Sequence, residues 1–225
     1  MLEARPAILV LGAGGHGKAV LDLLMAGGWP IAGVLDGAPR VAAVLGVPVL
    51  GDESRLPALL AAGVAAAHPA IGHNAQRAAA AARLLAAGFA LPALVHPAAT
   101  IGHGATLGEG AAVLARAVIG PEARIARLAL VNTGAIVEHD CDIGEAAHVA
   151  PGAVLAGGVR IGAGALVGAG AVIRPGVRVG EGAIIGAGAA VLADVPPHET
   201  FAGVPAIRVP ATRLPAQEHR PEPRP

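Results

Sequence analysis

The chain has 225 residues, 54% of them apolar but only 1% aromatic, so its core must be packed from Ala, Val, Leu and Ile. Sixteen basic residues balance sixteen acidic ones, which leaves no field to gather nucleic acid or an anionic membrane surface. The mean hydropathy of +0.63 raises the possibility of a membrane span, yet the longest uncharged stretch, 84–108, is broken by Pro92, His96, Pro97, His103 and several glycines, so no membrane helix is expected. The single Cys141 cannot form an intrachain disulfide, which predicts a reducing, cytoplasmic setting. Nucleophiles are scarce: there is one Ser (Ser54), one Lys (Lys18) and no Tyr, so acid–base work falls to the nine His and a few carboxylates.

In chain order, residues 8–11 read as a buried strand, followed by Gly12-Ala13-Gly14-Gly15-His16-Gly17-Lys18 and a helix over 19–26. A second strand over 31–35 ends in Asp36. The glycines match G-x-G-x-x-G, a turn that sets phosphates against helix N–H groups, with Asp36 near the place of a ribose-binding acid. Strands over 47–50 and 64–71 and a helix over 75–87 complete a small Rossmann-like unit, 1–92. It has room for one mononucleotide half. A nicotinamide dehydrogenase would need a second half or a catalytic domain, so that reading is set aside.

From Val95 to Val191 every sixth residue is Val, Ile or Leu, seventeen positions in succession. With 61 such residues in 225, chance agreement is on the order of 10⁻¹⁰. Four residues after each of the first sixteen stands a small residue, Ala at thirteen sites, Cys141, Val159 and Val177 at the others. Short strands with tight turns explain the ruler, and three sides make a coil of 18 residues in a prism about 27 Å long. Cys141 falls on a small, inward position and is read as packing. A solenoid interior this full binds nothing, so function must lie outside it, between subunits or at the ends. The solenoid is expected over 93–196, a cap with Phe201 over 197–212, and a disordered, proline-rich tail over 213–225.

The glycine turn, Ala70-Ile71-Gly72-His73-Asn74, Asn132-Thr133-Gly134, Glu138-His139-Asp140-Cys141 and Gly203-Val204-Pro205-Ala206 form one ordered set. Together they resemble the bacterial sugar O-/N-acyltransferases of the hexapeptide-repeat class. Within that class the chain is most similar to the nucleotide-linked aminosugar N-acetyltransferases of the bacillosamine and perosamine pathways and to the sialic-acid-biosynthesis acetyltransferases. The resemblance implies an α/β domain followed by a left-handed parallel β-helix, in a homotrimer with active sites between subunits. It implies acetyl-CoA as co-substrate and a UDP-4-amino-sugar type of acceptor. His139 becomes the general base, with Asp140 or Glu138 orienting it and Asn132 nearby. His148, Gly157, Ala169 and Ala187 fall at the acyl-donor site, and Gly14, Gly15, His16, Asp36 and Gly72 at the nucleotide-sugar site. An imidazole, with a reference pKa near 6.5, is suited to take the proton an amine loses as it attacks a thioester. O-acetylation of a sialic-acid-like sugar is the alternative. A zinc site built from His103, His139 and His148 is disfavoured, because two coils separate the first pair by about 9–10 Å.

Overall fold

A computed structural model describes residues 5–210. The tail expected over 213–225 lies outside the described residues. The first part of the chain forms β1 (Ile8–Leu11), α1 (Gly15–Ala26), β2 (Ile31–Leu35), a hairpin of β3 (Ala43–Val44) and β4 (Val47–Pro48), α2 (Leu56–Ala61), β5 (Ala66–Pro69) and α3 (Asn74–Ala86). A parallel sheet of order β2-β1-β5 lies at its centre. All four residues of β1 are buried, and its alternation divides them between two cores. Ile8 and Val10 pack with Val20, Leu21 and Leu24 of α1, whereas Leu9 and Leu11 pack with Leu56 of α2 and Ala80, Ala81 and Leu84 of α3.

Two expectations shift here. The first helix begins at Gly15 rather than residue 19, because the glycine turn is itself the first helical turn. The strand expected over 47–50 is half of a two-residue hairpin, and α2 was not foreseen: its Leu-Pro-Ala-Leu-Leu-Ala run is too short to show a helical period.

Seventeen two-residue strands follow, from Leu94–Val95 to Ala190–Val191, and in each the second residue is the one set by the six-residue ruler. They build about six coils of a left-handed parallel β-helix. Each strand pairs in parallel with those one coil away, as Val131 does with Val113 and Val149. From Ala111 to Val195 the branched and the small residues both stack inside, buried. Cys141 occupies one rung of the small stack; its thiol donates to the Ala156 carbonyl at 3.3 Å and burial pushes its pKa up. Ile101, in the first coil, is 38% exposed because nothing stacks beneath it. At the other end Phe201 and Ala206 pack against the stack.

The first residue of each strand points outward and gives the three faces different characters. One face carries Thr100, Val118, Ile136, Val154, Val172 and Ala190. The next carries Thr106, Arg124, Asp142, Arg160 and Arg178. The third carries Leu94, Ala112, Leu130, His148, Leu166 and Ile184. The N-terminal unit docks on this third face, where Leu94, Ala112 and Leu130 join the core of Ile8, Val10 and α1. Among the described residues no helix is long and apolar enough to cross a membrane.

Candidate active site

The glycine turn is shaped by close approach. Gly12 has φ +121°, and a Cβ there would lie 2.8 Å from the Ala70 carbonyl oxygen; one on Gly17 would lie 2.2 Å from that of Gly12. These two glycines let α1 cross hard against β1 and the loop after β5. Gly14 is different: nothing lies within 4 Å of its absent Cβ. Gly14 and Gly15 are exposed, and α1 starts with neither a side-chain cap nor an acidic residue in its first turn. Its leading N–H groups are therefore free to receive an anion. Asp36 holds this turn in place, accepting from Ala13 N at 2.8 Å through Oδ2 and from Ala38 N at 2.9 Å through Oδ1.

Gly72 closes the same cleft, its Cβ position 3.8 Å from the Cβ of His16. The imidazole of His16 is held neutral: burial, helped by the Arg77 charge, pulls its pKa down to about 4. His148, on the docking face of the solenoid, has the same pKa of about 4, from burial first and then from Arg77 and His16. The loop of the N-terminal unit and this strand thus converge. His68, at 1% exposure, lies behind them with neither ring nitrogen partnered among the described residues, and burial pulls it down to about 3. Asn132, expected near His139, sets its Nδ2 3.1 Å from Nε2 of His148 within the chain.

His139 stands elsewhere. It lies in the turn between Ile136–Val137 and Asp142–Ile143, on the edge joining the apolar and charged faces. In a three-sided prism that edge is opposite the face the N-terminal unit covers. Nδ1 of His139 is 2.7 Å from Oδ2 of Asp140, whose backbone is left-handed at φ +59°, a conformation Asp tolerates better than most residues. The turn thereby aims the carboxylate at the ring. Glu138 is exposed and its carboxylate has no hydrogen-bond partner among the described residues. The ring lies over Gly157, one coil on, and Nε2 has no hydrogen-bond partner among the described residues. Ala169 and Ala187 are exposed, one coil apart on the edge between the docking and apolar faces. No group of three His, Cys, Asp or Glu among the described residues is placed to hold a metal ion.

The arrangement supplies two separate groups per chain: a helix N-terminus with uncapped N–H groups beside neutral imidazoles, and an exposed imidazole–carboxylate pair able to accept and pass on a proton. Sequence reading missed Arg77, which is 1% exposed where the N-terminal unit meets the solenoid. Its signal was available, because a lone charge stands on the buried stripe of an alanine-rich helix with Ala80, Ala81 and Leu84.

Residues 7–84 match the model for the PglD N-terminal domain, and residues 158–193 that for the bacterial transferase hexapeptide of six repeats. Among solved structures, PerB from Caulobacter crescentus, in complex with CoA and GDP-perosamine, is 41% identical with a TM-score of 0.87, covering 91% of this chain and 97% of that one. The acetyltransferase domain of PglB from Neisseria gonorrhoeae, solved with acetyl coenzyme A, is 37% identical with a TM-score of 0.85, covering 91% and 100%. WeeI from Acinetobacter baumannii is 28% identical with a TM-score of 0.83 over the same shares. Among curated proteins there is no match.

Proposed function

The chain belongs to the hexapeptide-repeat sugar N-acetyltransferases, and from that premise we propose that it transfers the acetyl group of acetyl-CoA to the amino group of a nucleotide-activated aminosugar. The diphosphate lies on the α1 N-terminus at Gly14 and Gly15, between His16 and Gly72. The acyl donor lies along the solenoid, where His148, with Asn132, points a neutral imidazole toward the thioester carbonyl, and Ala169 and Ala187, with Gly157 of the neighbouring copy that supplies His139, form the backbone bed for the coenzyme. The acceptor is of the UDP-4-amino-sugar type, with the GDP-linked sugar that PerB holds as its comparator.

His139 is the general base in this reading, and its pairing with Asp140 is the observation that carries it. The free Nε2 takes the proton from the amine as nitrogen attacks the thioester carbon. The tetrahedral oxyanion is met by a hydrogen-bond donor. The C–S bond then breaks as the amide forms, and the proton held by His139 passes to the departing sulfur, so that the coenzyme leaves as its thiol and the imidazole is free again. Asp140 fixes the tautomer and steadies the imidazolium. Direct transfer needs no acyl-enzyme, which suits a chain whose only cysteine is buried inside the solenoid.

A homotrimer completes the site. His139 and the nucleotide-sugar cleft lie across the prism from one another, so a cleft is served by His139 of a neighbouring copy. The apolar face beside the His139 edge, with Val118, Ile136, Val154 and Val172, is the surface that such a copy would cover; Val172 is 49% exposed in the single chain. The test is thiol release from acetyl-CoA against a panel of UDP-, GDP- and dTDP-aminosugars, with His139→Ala beside the wild type. Aminosugar-dependent release that falls about 10²-fold or more in the variant is expected. Equal turnover by His139→Ala removes the base assignment, and turnover only with hydroxyl acceptors removes the N-acetyl reading.

A further inference from the structure

Helix α3 meets the solenoid with a charged residue that has no carboxylate partner among the described residues. Arg77 is 1% exposed, and its five N–H donors are all engaged by neutral oxygens. Nε donates to the Leu128 carbonyl at 3.0 Å. Nη1 donates to the carbonyls of Ile71 at 3.1 Å and Gly72 at 3.0 Å. Nη2 donates to Asn74 Oδ1 at 3.0 Å and to the Ala146 carbonyl at 2.8 Å, with that of Ala147 at 3.3 Å. Asn74 carries the chain of contacts onward, its Nδ2 donating to the carbonyls of Gly164 at 2.9 Å and Ala165 at 3.1 Å.

Leu128, Ala146 and Gly164 are the same corner of three successive coils, 18 residues apart, all in the left-handed region at φ +59°, +51° and +64°. Most left-handed corners of the solenoid hold glycine. Here Leu128 and Ala146 accept the strain and join the core made by Leu9, Leu84 and Phe89. The first turn of α3 therefore grips the solenoid at a corner built to receive it. The grip also holds both walls of the cleft: Ile71 and Gly72 form the loop against His16, and Ala147 immediately precedes His148.

We propose that Arg77 is a positioning residue that sets the distance between the nucleotide-sugar loop at Gly72 and the acyl-donor strand at His148, touching neither ligand. This rests on the assignment of those two half-sites above. A lysine cannot replace it, because three donors on a flexible stem do not span acceptors on both walls. Each half keeps its own fold without the bridge, so each ligand still binds; what is lost is their alignment.

The test compares Arg77→Lys with the wild type and with Ile173→Val, a core change remote from the cleft, in binding of UDP and of CoA separately, in kcat, and in amide exchange. Arg77→Lys is expected to bind each ligand within about threefold of wild type while kcat falls about 10- to 100-fold, the scale of a misplacement near 1 Å. Exchange is expected to quicken together at 70–73 and 146–149, whereas Ile173→Val lowers Tm and leaves kcat and those segments as they were. Where Arg77→Lys does not fold, Asn74→Ala, which removes the contacts to Gly164 and Ala165, is expected to lower kcat about 3- to 10-fold with binding kept. A variant with lower Tm and wild-type kcat shows a merely structural arginine. One with UDP or CoA binding weakened tenfold and kcat kept shows direct ligand contact. Either result overturns the proposal. The exchange arm needs no substrate: if the wild type acetylates no aminosugar, the functional reading fails by itself, and quickening in only one of the two segments still overturns the positioning role.

Discussion

A Cβ placed on Gly157 would lie 2.5 Å from both Cε1 and Nε2 of His139. The ring of the proposed base thus rests on a backbone that has room for it only because residue 157 lacks a side chain. Gly157 has no left-handed φ to defend, so within the chain Gly157→Ala strains nothing but the ring, and a KM for acetyl-CoA that stays within about threefold separates this from a lost coenzyme contact. The expected outcome is an unchanged melting curve with kcat lower by about 10- to 100-fold, because the imidazole swings off its place. Steady-state kinetics beside thermal denaturation checks this; full activity in the variant would show that the ring position is not critical.

The choice between the two carboxylates flanking His139 follows from geometry. Asp140 meets Nδ1 at 2.7 Å, and Glu138 has no partner among the described residues. Asp140→Asn keeps a residue that tolerates the left-handed backbone and removes only the charge. It is expected to lower kcat about 10²-fold, with Glu138→Gln within about threefold of wild type. Reversed results would reassign the orienting group.

Three histidines beside the cleft are held neutral by burial, His16 and His148 at about 4 and His68 at about 3. Their pKa values lie below the reference near 6.5, so the unfolded chain binds more protons in that window. The stability they confer is present above pH 6.5 and is lost as pH falls toward 4 and then 3. For His68, the most buried of the three, the slope reaches about 1.4 kcal/mol per pH unit. Urea midpoints measured from pH 7 to pH 5 should fall for the wild type and fall less for His68→Leu. Parallel profiles would show that His68 is not a source of the acid sensitivity.

Shared sites predict complementation. Gly14→Asp places an anion where the diphosphate is proposed to lie, at a position with open space and with a residue that caps helices well. Gly14→Asp and His139→Ala should each be inactive alone. Unfolded together in equal amounts and refolded, they should recover about a quarter of wild-type activity, the fraction of interfaces with both halves intact. Val172→Glu, on the apolar face, should give a monomer by sedimentation with activity lost. An active monomer would place the whole site in one chain.

The solenoid was legible residue by residue because its rule is local and repeats: a branched residue every sixth place has one geometric solution, and each of the seventeen became the inward residue of a strand. Cys141 was equally clear, a small residue on a small-residue rung. The βα turn could be read from glycines whose spacing reflects a close crossing, though not its division into Gly12 and Gly17, which the backbone needs, and Gly14, which leaves space. Asn132 and His148, 16 residues apart, come to stand on adjacent coils by the 18-residue period itself, but nothing local told that theirs is the face the N-terminal unit covers. Arg77 was the least visible: a helix position acquires its meaning from the carbonyls of coils 51 to 70 residues away, which come together only when the two units dock. Periodicity along the chain determines the prism and the left-handed turn at Asp140 decides which carboxylate meets the base, whereas contacts at long separation decide which face is covered and which buried charge joins the two halves.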